Sequence, residues 1–137
     1  MDFFKAFAKS DFVENCYIAE KFDADLLRLA ESGEIYIQDE ASQIVANCFE
    51  LKENQKFLDV CAAPGSKTTF VARQKAKVKS KNLIVAGDLY AHRVKILREN
   101  CLRQEIDFVN IIQYDAEKSL PFADFSFDLI LLDAPCS

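Results

Sequence analysis

Apolar residues along this chain fall into four short, nearly continuous runs separated by stretches whose apolar positions recur every three or four residues. The runs are Phe57-Leu58-Asp59-Val60, Leu83-Ile84-Val85-Ala86, Phe108-Val109-Asn110-Ile111-Ile112 and Phe127-Asp128-Leu129-Ile130-Leu131-Leu132. Runs of that length suit strands buried on both faces, as in a parallel sheet. Between them, Phe70 and Val71 mark one helix, and Val94, Leu97 and Cys101 mark another. Ahead of them, Ala41, Ile44, Val45, Cys48 and Phe49 give an earlier helix one apolar face, with Asp39 as its N-cap. Strands alternating with helices predict an α/β fold built on a parallel sheet.

The N-terminal stretch predicts something different. Phe3, Phe4, Phe7 and Phe12 are spaced as one helical stripe, and Phe22, Leu26, Leu27 and Leu29 as a second short helix ending near Gly33. These aromatics are expected in the core. Residues 1–33 are therefore read as a helical extension and residues 34–137 as the α/β domain.

The first apolar run empties into Cys61-Ala62-Ala63-Pro64-Gly65-Ser66-Lys67-Thr68, a loop of small residues that opens a helix. Small residues keep such a loop thin, and the amides at the following helix mouth face whatever approaches it. Taken locally, the pattern is also that of an ordinary strand-to-helix turn. It is not a Walker loop, because aligning Lys67-Thr68 with that motif puts Cys61 and Ser66 at its two required glycines. The three-glycine dinucleotide fingerprint is absent as well. Asp88 ends the second run about 20 residues past Gly65, where a carboxylate can accept from ribose hydroxyls or simply cap a helix. Asp115 follows the third run, and Asp133 the fourth.

Asp59-Val60-Cys61-Ala62-Ala63-Pro64-Gly65-Ser66-Lys67-Thr68 resembles the S-adenosylmethionine loop of the Sun (NSUN, RsmB-like) family of RNA cytosine-5 methyltransferases. Tyr36 to Gln43 resembles a second signature of that family, in which a short strand leads into a helix, and Asp133-Ala134-Pro135-Cys136-Ser137 its Asp-Ala-Pro-Cys-Ser motif. The resemblance runs from about residue 34 to residue 137. It implies a Rossmann-like methyltransferase sheet, here ending after its fourth parallel strand, with S-adenosylmethionine as cofactor and RNA, ribosomal or transfer, as partner. The implied cofactor contacts are Cys61, Ala62, Ala63, Pro64, Gly65, Ser66 and Lys67 at the methionine end, Asp88 at the ribose, Asp115 near the adenine, and Asp133. Asp133 and Cys136 are the implied catalytic pair, the first meeting ring nitrogen 3 of the cytosine and the second assisting product release. In that family the attacking thiolate belongs to a later motif with no counterpart in this sequence, so the chain taken alone is expected to bind the cofactor without methylating RNA. The family has glycine where this chain has Ser66, which predicts crowding if the backbone there needs a positive φ.

Composition narrows the setting. Half of the 137 residues are apolar, with twelve phenylalanines, enough for a core. Five cysteines, an odd number with no CxxC pair, suggest neither a disulfide framework nor a zinc site and point to a reducing, intracellular setting for a soluble protein. A net charge of −5 argues against nucleic-acid binding by bulk electrostatics. RNA contact then requires a local patch, for which Arg73 to Lys81, with five basic residues in nine, is the candidate, its plain alternative being a solvated helix end. His92, the single histidine, reads as an exposed polar residue, and Cys136 has a buried structural thiol as its alternative. No membrane segment and no metal site are indicated, and the unpaired side of the fourth strand is expected to favour association. Two other readings remain: a cofactor-binding module without activity of its own, and a nicotinamide-dependent enzyme on the same sheet, against which the missing glycines weigh.

Overall fold

A computed structural model describes residues 4, 7–77 and 81–134, with backbone alone over 74–77. Four strands form a parallel sheet: β3 (Lys56–Asp59), β4 (Leu83–Asp88), β5 (Asn110–Gln113) and β6 (Leu129–Leu131), in the order β5-β4-β3-β6. The helices α2 (Glu40–Asn47), α3 (Ser66–Lys77) and α4 (Ala91–Arg103) alternate with them. The sheet is the parallel α/β architecture that the four apolar runs predict, and it matches the Rossmann-like sheet that the resemblance implies.

Successive residues of β3 point to opposite faces, so Phe57 and Leu58 enter different cores. Phe57, Ile84, Val71, Ala72 and Leu97 are fully buried on one side, where Phe49 meets Phe57 edge to face with centroids 5.5 Å apart. On the other side Leu58, Val60 and Val85 lie under Tyr114, Phe122 and Phe127 from the loop between β5 and β6, not under a helix. Phe122 packs edge-on against Phe127 at 5.0 Å. No helix among the described residues is long and apolar enough to cross a membrane.

The N-terminal stretch differs from its predicted helical stripe. Residues Ala8–Lys9 (β1) pair antiparallel with Tyr17–Ile18 (β2), and only then does a helix, α1 (Ala24–Glu31), begin. The reason is local. The Ser10 hydroxyl accepts from the amides of Phe12 and Val13, and Asn15 takes a left-handed φ of 59°, so the chain turns where a helix would have continued. Phe4 consequently packs on Tyr17, with centroids 5.0 Å apart, and not along one stripe with Phe12. Phe12 and Phe22 are 69% and 62% exposed, which removes both from the core. The expected strand at Tyr36-Ile37-Gln38 is also corrected: this stretch has no ladder partner among the described residues. Asp39 does cap α2, accepting from the Ala41 amide at 3.0 Å, and Gly33, at φ 83°, follows the end of α1.

Candidate functional site

The loop between β3 and α3 is fastened on three sides. Its amides reach the flanking strands, Val60 N–H donating to the Leu131 carbonyl at 2.9 Å and Ala62 N–H to the Gly87 carbonyl at 2.8 Å. Its carbonyls are held from α4, where Asn100 Nδ2 donates to the Pro64 oxygen at 2.7 Å and Arg93 Nη2 to the Ala63 oxygen at 2.8 Å. Asp88, at the tip of β4, accepts from Ala63 N–H at 3.1 Å and Leu89 N–H at 2.9 Å, and its carboxylate is 3.0 Å from Arg93 Nε. The backbone bends at Gly65, whose φ of +106° strains any L side chain and whose missing Cβ would lie 2.6 Å from Leu97 Cδ1. Ser66 carries no positive φ and simply opens α3, so the crowding predicted for a serine here does not arise; the glycine requirement falls one residue earlier.

Lys67 crosses the resulting cleft. Its ammonium lies 2.6 Å from Asp133 Oδ2, beyond the end of β6, and donates to Ser42 Oγ of α2 at 3.4 Å. The cleft, of about 230 Å³, is lined by Cys61, Ala62, Ala63, Pro64, Ser66, Lys67, Arg93 and Asp133, with Asp59 at its floor. Asp59 is 2% exposed and accepts from Thr68 Oγ1 at 2.6 Å. Burial outweighs that bond and the nearby Lys67 charge, pushing the Asp59 carboxyl up to about 6. Burial, helped by the charges of Asp88 and Asp59, likewise pushes the Cys61 thiol up, so Cys61 stays protonated and is no nucleophile at neutral pH.

A sequence model of the 16S rRNA methyltransferase RsmB/F family matches residues 46–137, two thirds of the chain. The chain belongs to the RsmB/F methyltransferase family. It is 38% identical, over 78% of its length, to a probable ribosomal RNA small subunit methyltransferase B of Bacillus subtilis, and covers 24% of that protein. It is likewise 38% identical to a tRNA (cytosine(72)-C(5))-methyltransferase of Pyrococcus horikoshii, covering 81% of this chain and 28% of the relative. Among solved structures, NSun6 from Pyrococcus horikoshii with SFG superposes with a TM-score of 0.72 at 36% identity, over 85% of this chain and 29% of that one. The chain thus spans about a quarter of the length of the relatives it matches.

Set against the residues that the RsmB/F resemblance singles out, the cleft holds the loop from Cys61 to Lys67 and Asp133, with Gly65 shaping the turn. Asp88 stands behind the loop, 5% exposed. Asp115 lies apart from the cleft lining; its carboxylate accepts from Glu117 N–H at 3.1 Å and pairs with Lys118 at 3.2 Å. Those two partners hold its carboxyl below the usual carboxylate range. Cys136, like Pro135 and Ser137, lies outside the described residues, as do residues 78–80 of the Arg73 to Lys81 patch and the side chains of residues 74–77. His92 is exposed and stacks on Tyr90 at 5.7 Å.

Three residues that sequence reasoning passed over organise the site. Arg93 sits in the first turn of α4, five residues after Asp88, and an arginine at that offset reaches back over the strand tip. Asn100 is two turns further on and had no local signal. Tyr114 donates its hydroxyl to the Val60 carbonyl at 3.1 Å, and its ring fills the space where a side chain on Gly87 would stand. Burial raises the Tyr114 phenol far above its ordinary value, so it acts as a neutral donor.

Proposed function

We propose that this chain binds S-adenosylmethionine and forms the cofactor half of a methyltransferase acting on carbon 5 of cytosine in RNA, ribosomal or transfer. The observation that carries the reading is the 2.6 Å Lys67–Asp133 ion pair bridging the cleft between the central loop and the tip of β6. A lone carboxylate at the cleft mouth rotates freely; one held by Lys67, itself anchored on Ser42, keeps a fixed aim.

The residues present fit the cofactor. Two backbone amides donate to the Asp88 carboxylate and Arg93 pairs with it; with about four lone-pair sites, it has room for a ribose hydroxyl. Small residues from Cys61 to Gly65 leave the backbone open to the methionine end, and Asp59 supplies the acceptor on the cleft floor. When bound, S-adenosylmethionine supplies the electrophilic methyl group. The chain's own part is to orient the base. Asp133, steadied by Lys67, holds or passes a proton at cytosine N3 while a thiolate adds to carbon 6 and makes carbon 5 nucleophilic. Cys136 is assigned to product release by the family motif.

Calorimetric titration with S-adenosylhomocysteine, with and without NAD, tests this reading. Saturable binding indifferent to NAD is expected, and Asp88→Ala weakens it by about 1–3 kcal/mol by freeing the Ala63 amide and Arg93 along with the ribose contact. Competition by NAD, or no binding to a chain that circular dichroism shows to be folded, overturns it.

A further inference from the structure

A second and larger cavity, of about 640 Å³, lies on another side of α3. Ser66, Thr69, Phe70 and Arg73 wall it, falling at i, i+3, i+4 and i+7 on one helical face, while Lys67 turns away into the cofactor cleft. Ser66 lines both spaces. Tyr17 of β2 and the unladdered stretch Tyr36-Ile37-Gln38 share the lining. The lining therefore carries aromatic side chains from α3, β2 and that stretch, surfaces on which a flat ring stacks.

Its polar groups narrow the occupant. Gln38 Nε2 is buried and has no acceptor among the described residues, so both of its N–H groups are unused. Glu40, in the first turn of α2, supplies a carboxylate acceptor on the same lining. Glu14 and Glu34 add negative charge to the walls, against a single cation, Arg73. A phosphate is repelled from that interior and is met instead at Arg73, which is exposed and opens the basic run Arg73 to Lys81. A base bearing an exocyclic amine suits the interior: the amine donates to Glu40 and a ring nitrogen or carbonyl accepts from Gln38. Uracil has no exocyclic amine and can offer Glu40 only its ring N3–H, flanked by two carbonyls that the carboxylate repels.

We propose that this cavity receives one unstacked amine-bearing base, cytosine, adenine or guanine, from the same RNA strand that presents its target base to the cofactor cleft. From Ser66 to Arg73 is about 10 Å along the helix, near enough for nucleotides of one strand to occupy both spaces. The assignment rests on the RNA reading above and adds the subsite and its base class.

Fluorescence anisotropy of the chain with labelled hexacytidylate, hexaadenylate and hexauridylate at low salt tests it, with S-adenosylhomocysteine titrated in parallel. The amine-bearing oligomers are expected to bind roughly tenfold tighter than hexauridylate. Glu40→Gln brings all three to within about twofold of one another, and Phe70→Leu, which keeps the apolar packing but removes the ring, weakens all three by roughly tenfold. Neither variant changes S-adenosylhomocysteine affinity. Equal binding of the three oligomers, or a preference that survives Glu40→Gln, overturns the subsite. So does ultraviolet cross-linking of hexacytidylate to peptides lacking both Tyr36 and Phe70, a result that leaves RNA binding itself intact. Binding of S-adenosylhomocysteine with none of the oligomers overturns the subsite and the RNA reading together, whereas loss of S-adenosylhomocysteine binding with the oligomers retained strikes the cofactor reading alone.

Discussion

Asp59 is the residue where site and stability oppose each other. It is almost fully buried, and its carboxyl is pushed from an ordinary 3.8 to about 6, with burial as the main cause. The folded chain therefore keeps this proton to a higher pH than the unfolded chain does. Between about pH 4 and pH 6 the folded state binds more protons, so the contribution of Asp59 to stability falls as pH rises through that window and stays low above it. Asp59→Asn removes the buried charge while its side-chain oxygen still accepts from the Thr68 hydroxyl. The variant is expected to match the parent chain near pH 4 and to exceed it by about 1–3 kcal/mol at pH 7, measured by urea unfolding at both values. A gap that is the same at both would show that Asp59 ionises without penalty. A residue retained at such a cost at the floor of the cleft is consistent with a binding role.

At the scale of the element, the turn into α3 concentrates its demands on a single position. Gly65 needs both its positive φ and the absence of a Cβ, because Leu97 of α4 is fully buried against it. Ser66, one residue on, has ordinary helical surroundings. Gly65→Ala is expected to cost about 2–4 kcal/mol and to abolish S-adenosylhomocysteine binding, since relieving the clash moves either the loop or α4. Ser66→Gly is expected to cost only about 0.5 kcal/mol, the ordinary penalty of glycine in a helix, with affinity unchanged. Thermal unfolding and calorimetry on the two variants check the contrast; similar losses at both positions would mean that the loop and not the single glycine sets the tolerance.

At the scale of the molecule, β6 is a sheet edge. It pairs with β3 alone among the described residues, and Ile130 and Leu132 are 55% and 65% exposed. Unpaired ladder groups beside exposed apolar side chains favour pairing with another strand. The 137-residue chain is expected to associate with rising concentration, and Ile130→Lys to weaken that association by about tenfold, as read by sedimentation velocity. A chain that sediments as a monomer throughout, or association indifferent to Ile130→Lys, would place the sticky surface elsewhere, with the exposed Phe12 and Phe22 as the next candidates.

The sequence alone determined the parallel sheet, because Phe57, Ile84 and Leu131 sit in apolar runs too continuous for strands with a wet face. It also determined the loop at Gly65 and the family, because chemistry at a strand tip is written in consecutive residues. The N-terminal hairpin was not legible: the phenylalanine spacing matches a helix, and what overrides it is a serine hydroxyl capping two amides together with one left-handed asparagine. Nor were the grips of Arg93, Asn100 and Tyr114 on the loop, since each joins positions 30 or more residues apart. Only the tertiary structure decided those contacts, and with them the aim of Lys67 at Asp133, because a long side chain finds its partner only after the helices have docked on the sheet.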